Sequence, residues 1–120
     1  MVKEHAFSKA PSFSLSDQEG VIRSLDNMFA KYLVLYFYPK DDTPGCTIQA
    51  VDFTNKLSLF HNNGAQVIGI SGLDIKSKSK FCTKYNLKHT LLADPDFKVS
   101  KAYGVFGEKQ FMGKKYLGIK

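Results

Sequence analysis

Apolar residues in this chain gather into short runs and helical stripes, and their order predicts the elements. Phe13 and Leu15 alternate with serines ahead of Asp17-Gln18-Glu19-Gly20, and Val21-Ile22 follow, which predicts an N-terminal β-hairpin. Asp26 stands where it could cap a short helix ending near Tyr32. Lys31 to Tyr38 (KYLVLYFY) is a continuous apolar run closed by Pro39, the pattern of a strand buried on both faces. A helix is predicted from Pro44 to His61, where Ile48, Val51, Leu57 and Phe60 form an incomplete apolar stripe and Asn62-Asn63-Gly64 supplies a stop. A second buried strand (Gln66 to Ser71, QVIGIS), a helix from about Ile75 to Tyr85 and a third strand (Thr90 to Ala93) come next. Asp94-Pro95-Asp96 makes a turn, and Phe97 to Tyr103 reads as a short helix stopped by Gly104. Alternating strands and helices predict a parallel α/β sheet with right-handed crossovers, whose strand C-termini are the usual place for chemistry.

Beyond Gly104 the pattern weakens. Gly107, Gly113 and Gly118 punctuate a lysine-bearing segment in which neither strand nor helix is predicted, although Phe106, Phe111, Met112, Tyr116, Leu117 and Ile119 are apolar. A structureless loop of that length is uncommon in a compact domain, so a C-terminal element is expected to be missing.

Length and composition narrow the class. A chain of 120 residues fits one domain, 1–120, and 43% apolar residues with 13% aromatics are enough for a core, to which Phe37, Phe53, Phe60 and Phe81 are assigned. The formal charge of +6 raises the question of nucleic acid, but only Arg23 among the basic residues is not lysine. Base readout and bidentate phosphate clamps favour arginine, so the charge reads as solvated surface, and the triplet Lys76, Lys78 and Lys80 as a solvated helix face. No apolar run reaches about 18 residues and the N-terminus lacks the apolar stretch of a secretory signal, so a cytoplasmic protein without membrane contact is expected. Two cysteines without a CxxC fit a reducing compartment and support neither a zinc ribbon nor a dithiol centre of that kind. His5, His61 and His89 stand alone and are assigned to surface or packing rather than to a metal.

The chemistry concentrates where the strand ending at Tyr38 gives way to the next helix. Thr43 suits an N-cap and Pro44 the first helical position, where a missing N–H costs nothing. Cys46 then falls in the first turn, where unpaired amides and the positive end of the helix dipole favour an anion; that position suits a reactive thiolate. The bland readings stay beside these: Thr43 as a cap only, Pro39 as a strand end, and Cys82 as a packed residue sharing a helical face with Ile75 and Tyr85.

With these residues in view the chain resembles a peroxiredoxin of the bacterioferritin-comigratory, or Q, subfamily. Pro39, Thr43 and Cys46 match the PxxxTxxC pattern within FYPKDDTPGCT, and similarity continues through Gln66 to Ser71, Phe81 to Asp96 and Tyr103 to Gly113. The resemblance implies an α/β, thioredoxin-like fold, a central sheet with flanking helices, and reduction of hydrogen peroxide or organic hydroperoxides without metal or flavin. It implies that Cys46 is the peroxidatic residue, oxidised to a sulfenic acid, that Thr43 and the Cys46 amide hold the peroxide, and that Pro39 shields the thiolate. Many members carry the resolving cysteine five residues later, where this chain has Val51; others place it on the following helix, about where Cys82 stands. A disulfide needs Cα atoms within about 7 Å, so Cys82 is expected to reach Cys46 only if the first turn of the Cys46 helix unwinds.

The family also uses an arginine beside the peroxidatic cysteine, expected directly after Gly118-Ile119-Lys120, followed by two strands and a helix; Arg23 matches no such position. The chain is therefore expected to be C-terminally truncated, and without that cation to lose on the order of 100-fold in activity. Expected partners are peroxides and thioredoxin or a similar dithiol reductant, with no nucleic acid, no membrane and the chain a monomer. Two alternatives stay open: a one-cysteine peroxidase resolved by an external thiol, and a redox-sensing or holdase-like interaction protein.

Overall fold

The computed structural model of the chain describes residues 10–28, 30–111 and 114–119. It begins with the expected hairpin, β1 (Ser14–Asp17) against β2 (Ile22–Ser24), with Leu15 opposite Arg23. Asp17 ties the turn, accepting from the Glu19 and Val21 amides and from Arg23 Nε at 2.9 Å. Burial alone would push this carboxyl up, but the Arg23 and amide hydrogen bonds outweigh it and hold the carboxyl below its ordinary value. The helix expected at Asp26 shrinks to one 3-10 turn, Leu25–Asn27. Ser24 makes no capping bond there and no residue of the turn is buried, so nothing stabilises further turns.

Three parallel strands follow: β3 (Tyr32–Phe37), β4 (Ala65–Ser71) and β5 (Thr90–Ala93). With the hairpin they form one sheet in the order β2-β1-β5-β4-β3, in which β1 runs antiparallel to β5. The interior strands β4 and β5 are the ones buried on both faces. Among the described residues β3 borders the sheet, and the expectation of full burial fails there: Tyr32 is exposed and Leu33 to Phe37 are half-buried, while Tyr38, just past the strand, is buried.

The helices are α1 (Pro44–Asn55), α2 (Leu57–Asn62), α3 (Ile75–Tyr85) and α4 (Lys98–Ala102). The single helix expected to His61 divides at Lys56, whose φ of −101° and ψ of 9° leave the helical region. Its apolar stripe was incomplete because only part of it faces inward: Ile48 is 72% exposed, and the division turns Phe60 onto Phe53 with ring centres 5.8 Å apart. The bounds of α3 agree with expectation. Asp74 caps it by accepting from the Ser77 amide at 2.9 Å, and Asn86 ends it in the left-handed region.

The segment after Gly104 requires a correction. It forms a second, two-stranded antiparallel sheet, β6 (Phe106–Phe111) and β7 (Lys114–Ile119), and the two residues between them lie outside the described residues. A hairpin that satisfies its backbone within itself needs no buried apolar run, so the periodicity signal was weak. Its link to α4 is visible in Phe106, whose ring lies 4.7 Å from that of Phe97 and under Lys101 Nζ.

Strand alternation sorts the core onto two faces of the sheet. One gathers Phe13, Ile68, Ile70, Leu92 and Val99; the other gathers Tyr38, Ala50, Phe81, Leu87 and Leu91 beneath α1 and α3. Gly69 makes room on the second face. A Cβ there would stand 2.6 Å from Tyr36 Cζ and 2.9 Å from Leu91 Cδ2. None of the described helices is long and apolar enough to cross a membrane. Gly69→Ala is expected to destabilise the fold by about 1–3 kcal/mol through overpacking; chemical denaturation checks it, and an unchanged midpoint would show that the Tyr36 ring can move aside.

Candidate active site

The β3–α1 connection delivers Cys46 to the third position of α1. Thr43 occupies the N-cap with extended backbone and Pro44 the first helical position. The Thr47 amide closes the first helical hydrogen bond on the Thr43 carbonyl at 2.8 Å, so the Gly45 and Cys46 amides precede the ladder and have no acceptor within the helix. The Thr43 side chain does not cap. Its hydroxyl donates to the Lys40 carbonyl at 3.1 Å, which leaves its lone pairs as acceptors. Pro39 is exposed and Cys46 half-buried. Beside Cys46, the Thr47 hydroxyl is buried with no hydrogen-bond partner among the described residues.

Two acids ahead of the cysteine fasten this connection to α3. Asp41 is buried and accepts from the Tyr38 hydroxyl at 2.5 Å, the Ser77 hydroxyl at 2.6 Å and Lys78 Nζ at 2.9 Å. Lys78 also donates to the Ser71 hydroxyl at the end of β4. The expectation that Lys76, Lys78 and Lys80 form a solvated face is therefore wrong for Lys78, which is 0% exposed. Burial pulls the Lys78 ammonium below its ordinary value, opposed chiefly by the Asp41 charge. Asp42, at φ 59°, turns outward to Lys84 Nζ at 2.7 Å and the Tyr85 hydroxyl at 2.5 Å.

Cys82 lies on α3 between these two attachments. Both cysteines are free thiols, half-buried, and both pack on the cluster of Tyr38, Ala50, Phe81, Leu87 and Leu91. Burial, reinforced by the Asp41 carboxylate, pushes the Cys82 thiol up to about 11, with Lys78 acting the other way. In this conformation Cys82 is a neutral thiol at physiological pH. Tyr36 sits close to both sulfurs: burial and then the two thiols raise its phenol above its ordinary range. Its hydroxyl meets His89 Nε2 at 2.7 Å, and Thr54 Oγ1 meets His89 Nδ1 at 2.9 Å. His89 is thus a packed residue, as expected, and among the described residues no three His, Cys, Asp or Glu side chains gather as a metal-ligand set.

A half-buried free thiol on the first turn of a helix, after a parallel strand and a PxxxTxxC loop, invites comparison with known proteins. The AhpC/TSA family matches residues 7–118. The chain belongs to that family. It is 49% identical over 111 residues to the putative peroxiredoxin bcp of Coxiella burnetii, covering 92% of this chain and 74% of that one. Peroxiredoxin Bcp of Escherichia coli is 44% identical over 110 residues, covering 92% and 70%. A solved structure of the bacterioferritin comigratory protein of Xanthomonas campestris superposes with a TM-score of 0.86 at 36% identity, over 98% of this chain and 76% of that one. The fold is accordingly thioredoxin-like, and the peroxiredoxin is a thiol-dependent peroxidase of the Bcp or Q type.

The structure brings Cys46 and Cys82 to one apolar floor, with Thr43 at the head of α1. Arg23, by contrast, is engaged by Asp17 in the hairpin. Sequence reasoning missed the Asp41–Lys78 pair. A signal existed, because Lys78 shares a helical face with Phe81, Cys82 and Tyr85 at spacings of three, four and seven, and a lysine inside an apolar stripe invites a search for a carboxylate.

Burial lowers His89 to about 4 from 6.5. Between these values the unfolded chain takes up a proton that the folded chain does not, so stability present above pH 6.5 is lost as pH falls towards about 4. The loss attributable to this residue is expected to reach up to about 3 kcal/mol. Urea unfolding across that range should show a shallower slope for His89→Gln than for the unmodified peroxiredoxin, and parallel slopes would assign the pH dependence elsewhere.

Proposed function

We propose that Cys46 is the thiol that reduces the peroxide and Cys82 the thiol that resolves the product, with thioredoxin or a similar dithiol donor closing the cycle. The observation that carries the reading is the placement of two free cysteines on one apolar cluster, one in the first turn of α1 and the other on α3. Two solved structures of Xanthomonas campestris peroxiredoxin Q each carry serine in place of one cysteine, and those two positions are 36 apart, the separation of Cys46 and Cys82 here.

The Cys46 sulfur, as thiolate, attacks one peroxide oxygen. The O–O bond breaks, sulfur becomes a sulfenic acid, and the other oxygen leaves as water or an alcohol after taking a proton. The Cys46 amide, free of the helical ladder, donates towards the reacting oxygens, while Thr43, its own proton committed to Lys40, accepts from the peroxide O–H. Pro39, exposed ahead of the cysteine, is assigned to shielding the thiolate from water. In the second step Cys82 loses its proton and displaces the sulfenic oxygen as water, forming one disulfide. Two electrons and two protons from the donor dithiol then restore both thiols. A disulfide needs Cα atoms within about 7 Å, so this step needs the first turn of α1 to unwind locally and carry Cys46 to Cys82.

Stopped-flow mixing with hydrogen peroxide should consume one thiol rapidly and stoichiometrically, and Cys46→Ser should abolish turnover. Mass spectrometry of the peroxide-treated chain should find a Cys46–Cys82 disulfide, and Cys82→Ser should keep the first oxidation but lose that product. An oxidised chain whose Cys46 carries only an external thiol adduct would identify a one-cysteine peroxidase instead.

A further inference from the structure

The attachments between the Cys46 loop and α3 bracket Cys82. Lys78, one turn before it, holds Asp41, and Lys84 with Tyr85, just after it, holds Asp42. The inner attachment differs in kind from the outer one. Lys84 and Asp42 are both well exposed and their pairing is screened by solvent. Lys78 and Asp41 are 0% and 3% exposed at their side chains, and the pair has further partners in Tyr38, Ser71 and Ser77, from β3's end, β4's end and α3. A charge pair so enclosed tolerates the loss of one partner poorly, because the remaining charge stays buried and unpaired.

We infer that the Asp41–Lys78 pair is a latch: it holds the Cys46 loop against α3 while peroxide reacts, and its release sets the rate at which Cys82 reaches the oxidised sulfur. Lys78 and Asp41 are positioning residues on this account, since neither touches peroxide. The inference rests on Cys46 and Cys82 being the redox pair. Unwinding the first turn of α1 draws the loop that carries Asp41 off the helix that carries Lys78 and Ser77, so the pair breaks before the sulfurs bond. The same opening returns both charges to water, which offsets much of the lost attraction and lets the latch release on a catalytic timescale. The cluster therefore trades two outcomes. A tight latch leaves the sulfenic acid waiting and open to a second peroxide, giving sulfinic acid; a loose one hurries it to the disulfide.

The test uses the reduced full chain and hydrogen peroxide in a stopped-flow instrument, with separate phases for thiol oxidation, which scales with peroxide, and disulfide formation, which does not. Asp41→Asn should accelerate the second phase at least tenfold and lower the yield of sulfinic Cys46 at high peroxide. Ser77→Ala removes a single hydrogen bond to Asp41 and keeps the charge pair; it should accelerate the second phase severalfold while leaving the first unchanged, and it carries the test should Asp41→Asn not fold. A second phase and sulfinic yield unchanged in Ser77→Ala would overturn the latch, as would a uniform slowing of both phases. Amide hydrogen exchange keeps this outcome apart from failure of the redox assignment: in a chain that forms no internal disulfide, faster exchange at the start of α1 in Ser77→Ala still supports the latch, and unchanged exchange overturns it.

Discussion

A carboxylate taken out of water must find a cation or lose its charge, and the site grows from how Asp41 meets that demand. Lys78 supplies the cation from α3, while hydroxyls of Tyr38 and Ser77 occupy the remaining acceptor positions. The cost of burying two charges is high, and such pairs contribute little net stability. Their effect is geometric: with one partner on the loop and the other on the helix, only one docking of the two satisfies both. The head of α1, and with it Cys46, inherits that docking.

The two faces of the sheet divide the labour. Beneath α4, Phe13, Ile68, Ile70, Leu92 and Val99 form a largely aliphatic core, and the buried carboxylate of Asp94 accepts from Ser100. Beneath α1 and α3 the floor is aromatic and carries the sulfurs, with Tyr36 stacked on Phe53 and hydrogen-bonded to His89. Gly69 allows this, since a side chain there would collide with the Tyr36 ring and with Leu91. A neutral His89 and a protonated Cys82 share one cause, the low polarity of that floor, which disfavours every isolated charge placed on it.

Much of this was legible in the sequence. The apolar runs located β4 and β5, the Ile75 to Tyr85 bounds of α3 agreed, and the Thr43-Pro44 start of α1 followed from capping chemistry. Periodicity failed where burial was not its cause. The Lys31 to Tyr38 run looked like an interior strand because its residues are apolar, yet β3 lies at the border of the described sheet. Strands β6 and β7 were missed because they pair with each other and are punctuated by glycine. Lys78 was misread because a charged residue was counted as solvent-facing without asking what stood opposite. The partner, Asp41, lies 37 positions away in sequence and is brought near only by the crossover from β3 to α3.

Asp41 and Asp42 are neighbours that face opposite ways, one into the interior and one out to Lys84 and Tyr85, and the reversal is made at a left-handed backbone. Inserting or deleting a single residue between Tyr38 and Thr43 would shift Asp41 from its place opposite Lys78 and leave the buried ammonium of α3 without its counter-ion. Exposed connections usually accept changes in length. Here the count of residues in a surface loop is dictated from inside the protein.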